Sequence, residues 1–395
     1  MRTFGRLCLL VALATGAAVG ACGEDEGNVV RTRPDGGPDA SLDGPVEGGP
    51  PALGCGVLLP TTYDSPSFAA NAKEELDLKG HLRSLSDKMK TAEGASPLPV
   101  TAAELQAIFT AGPPSLRTVA TAYTQATVDS YLVQFADAST KTWKPEDVEP
   151  DGGVDGGAPT GGRYDSGSIV SAAGLDLRAA TEQILLDGSL YNYALQLAGG
   201  AISAATVDRL LALYGASPAF ANSADAGDQA DQLMAAYASQ RDNKTGAPGP
   251  YRKVRSALIV ALAAATAGDK CRADLDGALK IFFLEWEKTA FATVIYDLDQ
   301  AATAAVAIPA RANEALRAYG QAIGLAQSFK GIPQDRRKIT DVQIDAVLMR
   351  IGMTTPYQLV TKTGERIVAF NTAYQEIGAI YGMSQTDIEE AKKAY

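Results

Sequence analysis

Histidine is almost missing from this chain: His81 is the only one in 395 residues. That excludes a zinc site built on two or three histidines within one chain, and a Ser-His-Asp triad would have to use His81. His81 sits between Lys79 and Arg83, on what reads as an exposed helix face. Lys/Arg-rich runs are absent too. The balance is 35 Lys+Arg against 46 Asp+Glu, so nucleic acid and anionic headgroups are poor partners. No Gly-x-Ser-x-Gly, P-loop or dinucleotide fingerprint occurs. No apolar run reaches the roughly 20 residues that a spanning helix needs.

The longest apolar run lies near the start, from Leu7 to Val19, behind Arg2 and Arg6. At about 13 residues it has the length of a signal h-region. It ends in Val19-Gly20-Ala21-Cys22, small residues before a cysteine, which resembles the lipobox of bacterial lipoproteins. Residues 1–21 then read as a signal peptide and Cys22 as the acylated residue that fixes the chain to a membrane. Gly23, rather than aspartate, follows Cys22, which favours the outer over the inner membrane. Cleavage removes two arginines and no acid, leaving the mature chain more acidic still.

Residues 22–54 hold many Gly, Pro and Asp and few large apolar side chains, as in Arg33-Pro-Asp-Gly-Gly-Pro-Asp-Ala. Such a segment buries too little surface to offset its ordering entropy, so it reads as a disordered acidic tether. Its Asp spacing does not match a calcium loop. Of the four cysteines, Cys8 leaves with the signal and Cys22 takes lipid. Cys55 and Cys271 remain and, in an oxidising compartment, are expected to pair; the alternative is two unrelated buried thiols.

From residue 55 to 395 the apolar residues recur at helical spacing, and the domain reads as an all-α helical bundle. Leu78, Leu82, Leu85 and Met89 make one stripe. Thr101 to Glu104 and Thr340 to Gln343 read as capping boxes, Gly352 as a helix stop, and Ser384 to Asp387 as the start of a last helix. An exposed Gly-rich loop is expected over 150–162. A soft boundary near 215–228 suggests two packed sub-bundles.

Two helices carry awkward glutamates. One, from Asp274 to about Ala305, is apolar over most of its circumference and sets Glu287 among Leu284, Phe291 and Leu298. The other, from Leu175 to Leu197, puts Glu182 in line with Leu175, Ala179, Leu186 and Tyr193. A buried carboxylate needs a partner, a proton or a metal. Glu182, Glu287, Tyr193 and Asp297 are therefore candidate ligands for iron or calcium, as inward carboxylates are in di-iron bundles. The Glu-x-x-His pair of those bundles is absent. The competing expectation is that Glu182 and Glu287 accept bonds from Tyr, Ser or Arg and lock helix register.

The order Thr62-Tyr-Asp-Ser65, Leu85-Ser-Asp-Lys-Met-Lys90, Gly174-Leu175, Trp286-Glu287 and Ile295-Tyr296 is similar to a family of envelope lipoproteins related to imelysin, over roughly Pro60 to Met383. That resemblance implies paired helical bundles of the envelope, several of them linked to iron acquisition. The chain departs from the imelysin Gly-x-His-x-x-Glu pattern at Gly80-His81-Leu82-Arg83. Where the relatives tend to show a histidine four residues before Glu314, it has Ala310. The resulting expectation is a non-enzymatic lipoprotein that binds a ligand, serves metal or nutrient uptake and meets an envelope transport protein. The alternatives are a carboxylate-dependent hydrolase or degenerate peptidase, and a glycan binder, which the presence of only Trp143 and Trp286 disfavours.

Overall fold

The computed structural model describes residues 51–94, 96–148, 160–165, 167–221, 230–242 and 246–395. The signal segment, Cys22, the tether up to Pro50, the core of the Gly-rich loop and residues 222–227 lie outside the described residues.

The described part is all-α apart from one short ladder. It begins with α1 (Phe68–Asn71), α2 (Lys73–Lys90), α3 (Ala102–Phe109), α4 (Leu116–Val119) and α5 (Ala122–Ala138). Strands β1 (Gly162–Arg163) and β2 (Ile169–Val170) then pair antiparallel, Gly162 opposite Val170. This ladder, too short to show a period-two pattern, was not expected. Next come α6 (Leu177–Leu185), a π turn (Leu186–Tyr191), α7 (Asn192–Ala198), α8 (Ala204–Tyr214), α9 (Leu233–Gln240) and α10 (Pro250–Ala267). The long α11 (Arg272–Val306) leads to α12 (Ala312–Ser328), α13 (Asp341–Ile351), α14 (Gln358–Thr361), α15 (Thr363–Tyr381) and α16 (Gln385–Ala391).

Local chemistry sets the ends. Thr101, Thr340 and Ser384 each accept from the backbone N–H three residues on, and each receives the reciprocal side-chain bond of a capping box. Gly352 closes α13 at φ 82°, the left-handed conformation that a side chain would resist.

At 35 residues, α11 spans about 50 Å and forms the axis of the bundle. It packs between α10 and α12, and α12 in turn packs on α6. The α6–α12 crossing is close because a Cβ on Gly324 would strike the Ala180 carbonyl. Trp286 of α11 packs edge-on against Tyr214, Tyr191 and Phe282 at 5.1, 5.3 and 5.5 Å between ring centres. One apolar cluster runs from Leu53 to Ala391, on both sides of the expected boundary at 215–228. The sub-bundle division does not split the core, because α8, before the boundary, packs on α10 beyond it.

A disulfide joins Cys55 to Cys271, 216 residues apart. Beside it, Asp274 in the first turn of α11 accepts from the N–H groups of Gly54 (3.0 Å) and Cys55 (3.2 Å). The start of the domain is thus stapled to the start of its central helix. His81 differs from expectation: it is half-buried and its Nδ1 is enclosed, because the loop at Gly112 lies against its ring. Trp143 and Trp286 are both buried, so neither offers a face for sugar stacking. Among the described residues, no helix is long and apolar enough to cross a membrane.

Candidate functional site

The first half of α11 presents Leu279, Phe283 and Leu284 toward Leu195 and Ala198 of α7 and toward Ile202. The space between them is a solvent-open cleft of about 450 Å³, within the range of small-molecule sites. Tyr191, at the end of the π turn, and Glu287 complete the wall. The segment Asp335–Lys338, which leads into α13, forms the far rim.

Charge in the cleft runs against that of the chain. The whole chain carries a formal charge of −11, yet the cleft gathers Arg272, Lys280, Arg336, Arg337 and Lys338 against Asp276, Asp335 and Glu287. Arg272 is paired with Asp276 at 2.9 Å, and Arg337 with Asp341 at 2.8 Å. Among the described residues, Lys280 has no ion-pair partner and the Arg336 guanidinium donates only to the Leu195 carbonyl, while the Lys338 ammonium lies over the Tyr381 ring at 5.7 Å. Among the described residues, these three cations stand beside an apolar wall without a direct ion pair, and with Asp335 and Glu287 in the same lining the cleft keeps a modest positive excess.

Glu287, buried as its apolar neighbours led one to expect, organises that rim. Its Oε1 accepts from Ile339 N (2.8 Å), Lys338 N (3.0 Å) and the Tyr381 hydroxyl (2.7 Å), and its Oε2 accepts from Lys338 N (2.8 Å). The carboxylate holds the chain just before α13 and so positions Lys338 and Arg336. Burial, and the field of Glu287 itself, push the Tyr381 phenol well above its ordinary range, which keeps its proton available to this bond.

The acid that sequence reasoning missed is Asp187, in the π turn and fully buried. Its Oδ1 accepts from Trp286 Nε1 at 2.7 Å and its Oδ2 lies 3.0 Å from Ser328 Oγ. Burial, with a smaller push from Glu287, raises its pKa to about 7 despite those two bonds. The Ser328 hydroxyl is only 2.6 Å from the Leu325 carbonyl. A hydroxyl has one proton, so when Ser328 donates to Leu325, a protonated Asp187 donates to Ser328. Asp187 can exist here because the π turn inserts one residue into the helix. It packs tightly: a Cβ on Gly188 would run into Thr124.

The other candidates lie apart. Glu182 is half-buried and accepts from Ser86 Oγ (2.5 Å) and Arg178 (2.6 Å), and Arg178 also bonds Glu93 (3.0 Å). Tyr193 accepts from Arg209 (2.6 Å), which is shared with Glu74 and Glu75. Asp297 is buried beside Arg241, an arrangement hostile to a cation. Glu182 and Glu287 share no partner, and each is held by the Tyr, Ser, Arg and backbone donors that a register-locking acid requires. Among the described residues, the only His, Cys, Asp or Glu trio with donor atoms within 4.8 Å of one another is Cys55, Cys271 and Asp274. There the sulfurs are joined to each other and the carboxylate is held by backbone N–H groups, so the trio does not fit a metal. Glu182, Glu287, Tyr193 and Asp297 do not form a joint site for iron or calcium.

No protein-family model, curated protein or solved structure matches this chain.

Proposed function

We propose that this chain is a lipid-anchored envelope protein whose cleft binds an amphipathic organic anion: a carboxylate or phosphate head on an apolar body. One observation carries the reading. Lys280, Arg336 and Lys338, without a direct ion pair among the described residues, flank a wall of Leu195, Ile202, Leu279, Phe283 and Leu284 on an otherwise acidic chain. The head would meet the three cations while the body covers the half-exposed Phe283 and Leu284. Uptake of such a ligand, with hand-over to an envelope transport protein, joins the cleft to the anchor expected at Cys22. The resemblance of the helical segments to imelysin-like lipoproteins fits the same setting.

Titration calorimetry with dodecanoate, dodecyl phosphate and dodecyltrimethylammonium tests the cleft. The two anions should bind, the cation should not, and Lys280→Glu with Lys338→Glu should weaken the anions at least about tenfold, or 1.4 kcal/mol. Equal binding of all three would refute the charge reading. The anchor is tested separately by mass spectrometry of the mature protein: an unmodified Cys22, or a retained Met1, removes it without touching the cleft.

A further inference from the structure

Eleven buried side-chain polar atoms among the described residues have no hydrogen-bond partner, and five of them belong to Gln183, Arg241, Thr293 and Asp297. Buried polar atoms without partners are uncommon, and each calls for an explanation such as a bound water or ion. The four residues lie on or at the ends of three helices, α6, α9 and α11. Gln183 of α6 donates to the Tyr237 hydroxyl of α9 at 2.6 Å. Arg241 follows Tyr237 by one turn, at the end of α9. Thr293 and Asp297, one turn apart, share a face of α11, and the charge of Asp297 acts on both Tyr237 and Arg241. Gln183, Arg241, Thr293 and Asp297 are all more than nine-tenths buried.

The guanidinium of Arg241 is half used. Its Nη1 donates to the carbonyls of Gln240 and Lys393, and its plane lies over the Tyr296 ring at 3.7 Å. Among the described residues the opposite edge, Nε and Nη2, has no acceptor in good hydrogen-bond geometry, the Tyr296 side chain interacting with the guanidinium without supplying one. That edge is the fork whose two parallel N–H groups match the two oxygens of a carboxylate. Asp297 is close enough to be felt electrostatically and too far to form an ion pair. Burial pushes its carboxyl up to about 8, so at neutral pH it is largely protonated and leaves the cation without an internal counter-charge.

We propose that the Nε–Nη2 edge of Arg241 holds a small carboxylate-type oxyanion, the size of formate or bicarbonate, beside Gln183, Thr293 and Asp297. Two guest oxygens accept from Arg241. The Thr293 hydroxyl and the protonated Asp297 add donors, and the free Gln183 carbonyl oxygen accepts the hydroxyl of a guest such as bicarbonate. Lys393, whose carbonyl bonds Arg241, belongs to the segment that covers this side, so entry requires that segment to lift.

Thermal unfolding of the full chain near pH 7, with formate, bicarbonate or chloride at matched ionic strength, tests the assignment. Formate and bicarbonate should raise Tm, and chloride should not. Arg241→Lys keeps the charge but loses the fork and should abolish the rise, whereas Asp297→Asn should retain it. If Arg241→Lys does not fold, saturation-transfer NMR of formate on the wild-type protein carries the test; the signal should be displaced by bicarbonate and not by chloride. Equal stabilisation by chloride, no stabilisation by any anion, or a rise that survives in Arg241→Lys overturns the proposal. So does a crystal grown with formate in which waters alone join Arg241 to Asp297.

Discussion

Asp187 and Glu287 stand on neighbouring helices close to the same cleft, and their surroundings treat negative charge in opposite ways. Glu287 receives two backbone N–H groups and a phenol, so donors replace the water it has lost. Asp187 receives one indole N–H and faces a serine whose proton has a nearer acceptor. Equal burial therefore leads to a structural anchor in one case and to an acid whose pKa is pushed up to about 7 in the other. What separates them is the supply of donors, and this supply comes from segments remote in sequence: residues 338–339 and Tyr381 for Glu287, Trp286 and Ser328 for Asp187.

The largest effect is expected from Glu287→Ala. It strands buried donors at Lys338, Ile339 and Tyr381 and should cost about 4 kcal/mol in urea unfolding. It should also weaken anion binding by freeing the rim. A loss under about 1 kcal/mol would show that water replaces the carboxylate and would erase the contrast with Asp187.

Asp187→Asn comes next, and its sign depends on pH. The folded pKa of about 7 lies above the ordinary 3.8, so between those values the folded state holds a proton that the unfolded chain has released. The stability contribution is complete below about pH 4, falls as pH rises to about 7, and is constant above. Asparagine removes this slope, and at pH 8 the variant should be more stable than wild type by about 2 kcal/mol, a discounted share of the full shift. Parallel wild-type and variant profiles of Tm against pH would place the proton elsewhere.

Glu182→Ala should cost less than Glu287→Ala, about 2 kcal/mol, because the Glu182 side chain keeps 23% of its surface in solvent and Arg178 keeps Glu93. A loss as large as that of Glu287→Ala would mean that Glu182 is the more important anchor.

Much of the fold was legible. The Leu78–Met89 stripe, the capping boxes and Gly352 depend on residues within one or two turns, which sequence spacing reports directly. Glu287 was legible for the same reason: its neighbours along α11 are large and apolar on every side. Asp187 was not. The Leu175–Leu197 segment is surrounded by other helices, with burial from Leu177 almost unbroken to Tyr191. No polar face remains to set the phase of a helical pattern, and the π turn shifts that phase by a residue. Extrapolating at ideal spacing therefore aligned Glu182 with the core and passed over Asp187. The juxtaposition of Arg241 with Asp297 and the cleft were invisible for a different reason: each assembles residues from segments far apart in the chain.

The sequence by itself determined the all-α class, most helix ends and the burial of Glu287, since caps, glycine stops and apolar periodicity act through neighbours along the chain. Only the tertiary structure decided that burial raises the pKa of Asp187, that Glu182 is held by Ser86 and Arg178, and that Lys280, Arg336 and Lys338 border one apolar wall. Those outcomes depend on which donors and charges meet in space, and desolvation acts on that arrangement rather than on the order of residues.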